Sequence, residues 1–180
     1  MSDLRPPSPL LQTHADPLRK VAALGPTLDL ACGSGRNAIA VAEMGTPVIG
    51  IDRNVSALTG LRNAARARRL PVVPVRADLE TGRGIPVRAG SCGAILVFRF
   101  LFRPLAEPIR RTLAPGGLLL YETFLRNRRH PATGPRNPAF LLDPGELREL
   151  FSDLEILDYW EGLSDADPPE ALARLAARRP

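Results

Sequence analysis

Apolar and polar positions in this chain follow two rhythms, and the change from one to the other falls at glycine and proline. Short continuous apolar runs occupy Thr27–Ala31, Val48–Asp52, Pro71–Val75, Cys92–Phe98 and Leu118–Phe124. Runs of this length without polar alternation are the pattern of strands covered on both faces, as in a parallel sheet. Helical spacing fills the intervals. Asn37 to Met44 carries Ile39, Val41, Ala42 and Met44, while Asn54 to Arg69 sets Val55, Leu58, Leu61 and Ala65 on an inner face. Pro104 to Leu113 reads as another helix, stopped by the tight turn Ala114-Pro-Gly-Gly117. A short helix opened by Asp16-Pro17 places Leu18, Val21, Ala22 and Leu24 on one stripe before Gly25-Pro26 ends it.

Beyond Phe124 the rhythm breaks. Arg126 to Pro138 is an irregular basic insert, and together with the N-terminal segment it is a candidate lid. Pro144 to Phe151 reads as a helix with Asp143 as N-cap and Glu146 at the capping-box position. Leu154 to Tyr159 is a sixth strand. The propensity of Pro168 to Arg179, with its Asp-Pro-Pro-Glu entry, favours a helix. The proline-rich residues 1–16 form a loose or docking arm, and 17–180 a single domain.

Strand and helix alternate through residue 124, which predicts an α/β fold with a doubly wound, mostly parallel sheet. Ligands of such sheets bind outside the carboxyl ends of the strands, where strand order reverses. That rule gathers Asp29 with its glycine turn, Asp52, Asp78 and Arg99 into one place. In the turn, Thr27-Leu-Asp-Leu-Ala-Cys-Gly-Ser-Gly-Arg-Asn37, backbone N–H groups converge where a helix begins, a setting for a nucleotide. Asp29 in front of the glycines suits an ammonium group and repels a pyrophosphate. Asp52 lies far enough beyond Gly33 to accept from both ribose hydroxyls. Asp78 is set to meet an adenine amino group.

Composition narrows the partners. A 44% hydrophobic and 24% charged chain of 180 residues is that of a globular domain. Its net charge of +5 rests almost wholly on arginine, a compositional skew that argues weakly for a polyanionic partner. Cys32 and Cys92 show neither metal-ligand nor disulfide spacing, which fits a reducing, cytoplasmic setting. No stretch reads as a signal peptide or a membrane span. His14 reads as unordered or surface, and His130 as an exposed loop residue.

The series Asp29-Leu-Ala-Cys-Gly33-Ser-Gly35-Arg-Asn37, Ile51-Asp52-Arg53, Ala77-Asp78-Leu79 and Leu113-Ala-Pro-Gly-Gly117 resembles the motifs of class I S-adenosylmethionine-dependent methyltransferases. The resemblance implies a Rossmann-like sheet of seven strands, the last antiparallel. It implies S-adenosyl-L-methionine as cofactor and S-adenosyl-L-homocysteine as product. It implies Gly33 and Gly35 under the methionine portion, Asp52 on the ribose and Asp78 near the adenine. Asp29, Ala31, Asn37, Arg53, Leu79 and Arg99 complete the set of candidate cofactor-binding residues. Tyr121-Glu-Thr-Phe124, Asn137-Pro-Ala-Phe-Leu-Leu and Pro144-Gly-Glu-Leu-Arg-Glu-Leu-Phe151 are similar to bacterial methyltransferases of the tellurite-resistance type. That grouping implies a small acceptor, thiol-like or a chalcogen oxyanion. It also makes Ala171 to Arg178 a closing strand, against the helical propensity noted above.

Arg99-Phe100 departs from the family pattern after the fourth strand. Arg99 either meets the cofactor carboxylate or an anionic acceptor, or points to solvent. Methyl transfer needs alignment above all, and a base only where the acceptor is protonated. Tyr121 and Glu122 are the candidate catalytic residues; each also reads as a structural group. Three alternatives remain. Gly33-Ser-Gly35-Arg-Asn-Ala38 also fits a loose dinucleotide pattern, hence an NAD(P)-dependent oxidoreductase, though Asp29 and Asp78 stand against it. Arginines 62, 66, 68, 69, 126, 128, 129 and 136 would serve an RNA acceptor, yet no motif that orients a base follows the fourth strand. The chain is otherwise a cofactor-binding protein without catalysis. No metal is called for, and the oligomeric state is left as monomer or homodimer.

Overall fold

The computed structural model describes residues 6–126 and 134–180. Its strands are β1 (Thr27–Leu30), β2 (Val48–Asp52), β3 (Val72–Arg76), β4 (Cys92–Phe98), β5 (Leu113–Phe124), β6 (Glu155–Leu163) and β7 (Ala171–Arg178). They form one sheet in the order β3-β2-β1-β4-β5-β7-β6. The pairs β1–β2, β1–β4, β2–β3 and β4–β5 are parallel, and β7 runs antiparallel to both β5 and β6. Strand order therefore reverses between β1 and β4, which makes their carboxyl ends the place for a ligand.

The helices are α1 (Pro9–Thr13), α2 (Ala15–Val21), α3 (Arg36–Glu43), α4 (Val55–Ala67), α5 (Ala106–Thr112) and α6 (Glu146–Leu150). Alternation along β4 explains why both sheet faces are covered. Ile95 and Val97 join Ile109, Leu147 and Phe151 on the α5 and α6 side. Ala94, Leu96 and Phe98 join Leu11, Leu18, Ile39 and Leu61 on the α1 to α4 side.

Several sequence expectations change. The tight turn expected at 114–117 is instead the opening of β5. Cys92 pairs with Leu113 and Ala94 with Leu118, so a bulge absorbs the extra residues, with Gly116 at φ 78°. Leu24 and Val55, read as inward, are exposed. His14, read as surface, is buried, its Nδ1 3.0 Å from the Leu10 carbonyl oxygen. The N-terminal segment is docked where it is described, with Leu10 and Leu11 in the core.

Residues 171–178 form a strand, as the family resemblance implied and local propensity did not. Ladder partners on both sides and near-complete burial from Ala171 to Ala177 override the helical preference of an alanine- and leucine-rich run. In the capping box, Glu146 accepts from the Asp143 N–H at 2.8 Å, but the Asp143 carboxylate pairs with Arg126 and Gly145 takes the cap position. Of the basic insert, residues 127–133, with Arg128, Arg129 and His130, lie outside the described residues. No helix among the described residues is long and apolar enough to cross a membrane.

Candidate functional site

The site is built where β1 gives way to the glycine turn. Ala31 (φ 54°) and Gly33 (φ 55°) both take left-handed backbone, and Gly35 (φ 83°) caps α3. A non-glycine residue in that region is held there by its surroundings. The restraint is visible in the hydrogen bonds. The Cys32 N–H donates to the Ile51 carbonyl at 3.0 Å, and the Gly33 N–H donates to Asp52 Oδ2 at 2.8 Å. The other Asp52 oxygen accepts from the Asn54 N–H at 2.8 Å, at the start of α4. Turn, strand end and helix start are thus tied through one carboxylate.

Asp29 sits inside β1 with 2% of its surface exposed. Burial pushes its carboxyl up to about 7; the Ala38 backbone N–H and the Arg36 charge oppose the shift, and the Asp52 charge adds to it. The Cys32 thiol is pushed up as well, by burial first and then by Asp29 and Asp52, which favours the protonated thiol. After β3, Asp78 accepts from the Glu80 N–H at 2.9 Å, and Glu80 pairs with Arg53 at 2.7 Å. Leu79 is buried beside them.

These groups border a cleft with two compartments. The smaller, about 240 Å³, is lined by Asp52, Arg53, Asp78, Leu79, Phe100 and Phe140 among others. The larger, about 910 Å³, is lined by Asp29, Gly33, Asn37, Phe98, Asp167 and Glu170 among others. Ala31, Arg99 and Phe124 line both, so the compartments meet at those three residues. Phe140 is delivered to the smaller one by Arg103, which bonds the Ala139 and Leu141 carbonyls and both oxygens of Glu146.

Not every expected residue reaches the cleft. Gly35 lies behind the turn, where an added Cβ would fall 2.2 Å from Leu61 Cδ1; its role is close packing of α3 on α4. The candidate catalytic pair is held in contacts of a structural kind. Tyr121 is buried against Phe151, donates to the Phe100 carbonyl, and its hydroxyl is pushed up by burial. It faces the core on the α6 side. Glu122, 1% exposed, accepts from Ser8 Oγ at 3.1 Å and Arg174 Nε at 2.8 Å, and lies 3.4 Å from Arg99 Nε. A carboxylate so placed ties the N-terminal segment, β5 and β7 together.

Arg99 does not point to solvent. Its guanidinium lies 2.6 Å from Glu170 and stacks over Phe124, 4.9 Å from the ring centre. Glu170 and Phe124 were not singled out in the sequence: Phe124 stood only as the last residue of the Tyr121-Glu-Thr-Phe124 motif, and Glu170 reaches the cleft because β7 runs antiparallel. The arginine row on α4 falls elsewhere. That helix leaves the carboxyl end of β2 and returns to the amino end of β3, so Arg66, Arg68 and Arg69 sit at the end of the sheet away from the cleft, with Arg68 paired to Glu43.

Comparison with known proteins bears out the kinship read from the motifs. Residues 27–117 match the family described as a methyltransferase domain. The chain belongs to that family. Hemagglutinin 1 of Eikenella corrodens is 26% identical over 168 residues, covering 90% of this chain and 55% of that protein. A probable S-adenosyl-L-methionine-dependent methyltransferase, TehB of Haemophilus influenzae, is 25% identical over 158 residues, covering 84% of this chain and 54% of that one. The chain thus spans about half the length of the curated relatives it matches. The crystal structure of TehB superposes with a TM-score of 0.74 at 20% identity, over 93% of this chain and 62% of the other. A geranyl diphosphate methyltransferase solved with GPP and sinefungin gives 0.69 at 16% identity, over 94% and 79%. The last two likenesses concern the fold. This methyltransferase-family chain thus has the Rossmann-like sheet its motifs implied, and among its described residues no cluster could hold a metal ion.

Proposed function

We propose that this chain is an S-adenosyl-L-methionine-dependent methyltransferase with a small-molecule acceptor, either thiol-like or a chalcogen oxyanion. The observation that carries the reading is the two-compartment cleft at the switch point, with Asp29, Asp52 and Asp78 at successive strand ends on its walls. The likeness to TehB, a probable S-adenosyl-L-methionine-dependent methyltransferase, supports it, as does sinefungin in the complex of a fold relative.

The residues present fit this cofactor. A Cβ built on Gly33 would meet no atom within 4 Å, so open space lies against the turn. Each Asp52 oxygen accepts one backbone N–H, which leaves acceptor capacity for ribose hydroxyls. Asp29 is a buried carboxyl near neutrality that an ammonium would ionise. Asp78 and Leu79 would hold the adenine end in the smaller compartment; Asp29, Gly33 and Asn37 would hold the amino-acid end in the larger. Bound cofactor supplies a methyl group already activated on a sulfonium. The chain's own contribution is to align the acceptor and exclude water, since Tyr121 and Glu122 are engaged elsewhere.

Calorimetry with S-adenosyl-L-methionine, S-adenosyl-L-homocysteine and NAD tests the assignment. Binding of the first two and not the third is expected. NAD binding without the others would overturn it. Label followed from methyl-labelled cofactor into a fractionated extract then identifies the acceptor.

A further inference from the structure

Arg99 is the cation on the wall shared by the two compartments, and its charge is already answered. Glu170 approaches it at 2.6 Å and Glu122 at 3.4 Å, while Phe124 stacks on its plane. The approach to Glu122 is an ion pair without hydrogen-bond geometry, for Arg99 Nε is buried and makes no hydrogen bond. The backbone fixes where the side chain starts: φ is 60°, and the Arg99 N–H donates to the Glu122 carbonyl at 2.8 Å. Glu170 is fixed in turn. Its N–H donates to Ser164 Oγ at 3.0 Å and its carbonyl accepts from the Ser164 N–H at 2.8 Å. An anion seeking Arg99 would have to displace a tethered carboxylate and then lie beside it.

The remaining charges offer an anion no net attraction. Among the described residues of the larger compartment, Asp167 and Glu170 offset Arg36 and Arg99, Asp29 adds negative charge only where its buried carboxyl is ionised, and Arg36 also reaches toward the Pro6 carbonyl at 3.5 Å. In the smaller one, Asp52, Asp78 and Glu80 face Arg53 and the shared Arg99. Among the described residues, carboxylates thus outnumber arginines at the cleft of a chain with net charge +5, and low-dielectric walls focus the resulting field.

Resting on the function proposed above, we infer that the larger compartment admits uncharged or cationic small molecules and excludes anions, with the Arg99–Glu170 pair as the selecting element. Of the two acceptor types named above, the oxyanion is the one disfavoured. The inference concerns recognition in the compartment, whichever atom of the acceptor takes the methyl group.

The test uses the full chain loaded with S-adenosyl-L-homocysteine and three two-carbon thiols of similar size: cysteamine, 2-mercaptoethanol and thioglycolate. Ligand-observed saturation-transfer NMR reports which of them bind. Cysteamine and 2-mercaptoethanol are expected to bind, each at least about fivefold tighter than thioglycolate. Glu170→Gln, which leaves Arg99 without its nearest carboxylate, is expected to narrow that ratio. Asp167→Asn, at the exposed rim, should move the ratio the same way without touching the Arg99 pair, and covers the case in which Glu170→Gln perturbs folding. Preference for thioglycolate in the unaltered chain, no change of ratio in either variant, or no saturation transfer from any thiol would overturn the inference. Calorimetry of S-adenosyl-L-homocysteine on the same samples separates the two levels. Absent cofactor binding sinks the proposed function and this inference together; intact binding with a wrong charge preference sinks this inference alone.

Discussion

The Gly33 N–H donates to the Asp52 carboxylate at 2.8 Å, so the glycine turn after β1 and the end of β2 behave as one unit. Asp52 also accepts from the Asn54 N–H, and its proposed partner is a ribose. Its removal should therefore register in stability as well as in binding. Asp52→Ala is expected to weaken S-adenosyl-L-homocysteine by at least about tenfold and to lower stability by about 1–3 kcal/mol. Calorimetry and urea denaturation of the same variant check both. Unchanged affinity would show that the ribose lies elsewhere.

The glycines of the turn separate packing from binding. At Gly35 a Cβ would fall 2.2 Å from Leu61, so Gly35→Ala should destabilise by about 2 kcal/mol or more, combining a clash with left-handed strain. At Gly33 nothing lies within 4 Å, so Gly33→Ala should lose only about 1 kcal/mol through backbone strain while obstructing the cofactor. Melting curves and cofactor titrations on the two variants should show opposite emphases.

Asp29 gives the protein a pH signature. Its folded carboxyl titrates at about 7 against 3.8 when unfolded, so between those values the native state holds a proton that the unfolded state has released. Stability contributed by this group is complete below pH 3.8 and declines as pH rises toward 7, by about 4 kcal/mol in all. Asp29→Asn should flatten that slope in urea titrations. Cofactor binding should run the other way. An ammonium prefers the ionised carboxyl, so affinity should climb with pH up to about 7 and then level off, with proton release on binding below that point.

The contacts of Tyr121 and Glu122 predict contrasting phenotypes. Tyr121→Phe removes one hydrogen bond to the Phe100 carbonyl, expected to lower stability by about 1 kcal/mol while cofactor binding and methyl transfer persist. Glu122→Ala leaves Arg99 and Arg174 facing one another without their shared carboxylate, expected to lower stability by about 3–5 kcal/mol. A Glu122→Gln variant that melts normally but loses turnover with a shifted pH–rate profile would restore Glu122 as a base.

What was legible beforehand was local. The apolar runs announced the strands because each inner strand is covered on both faces, and the acids at strand ends announced the cleft because parallel strands point their carboxyl ends one way. What was illegible depends on contacts between distant parts of the chain. Ser8 and Glu122 lie 114 positions apart, and nothing in either neighbourhood points to the other. Glu170 stands in an Asp-Pro-Pro-Glu stretch that reads as the entry of a helix, and it becomes a wall of the cleft through the antiparallel course of β7. Local propensity misjudged β7 itself, since its alanines and leucines favour a helix until two neighbouring strands offer it ladders. Leu113 to Gly117 misled for the opposite reason: Pro115-Gly-Gly117 spells a turn, yet the register with Cys92 admits it as a bulge.

The position of β7 has a bearing on how the molecule is made. Although last of the seven strands in sequence, it lies between β5 and β6 and, among the described residues, is the only strand that joins β6 to the sheet. Until residues 171–178 pair, β6 has no ladder to join and β5 presents a bare edge, so a partly folded chain that lacks β7 would expose the apolar β5 border to chaperones and to self-association.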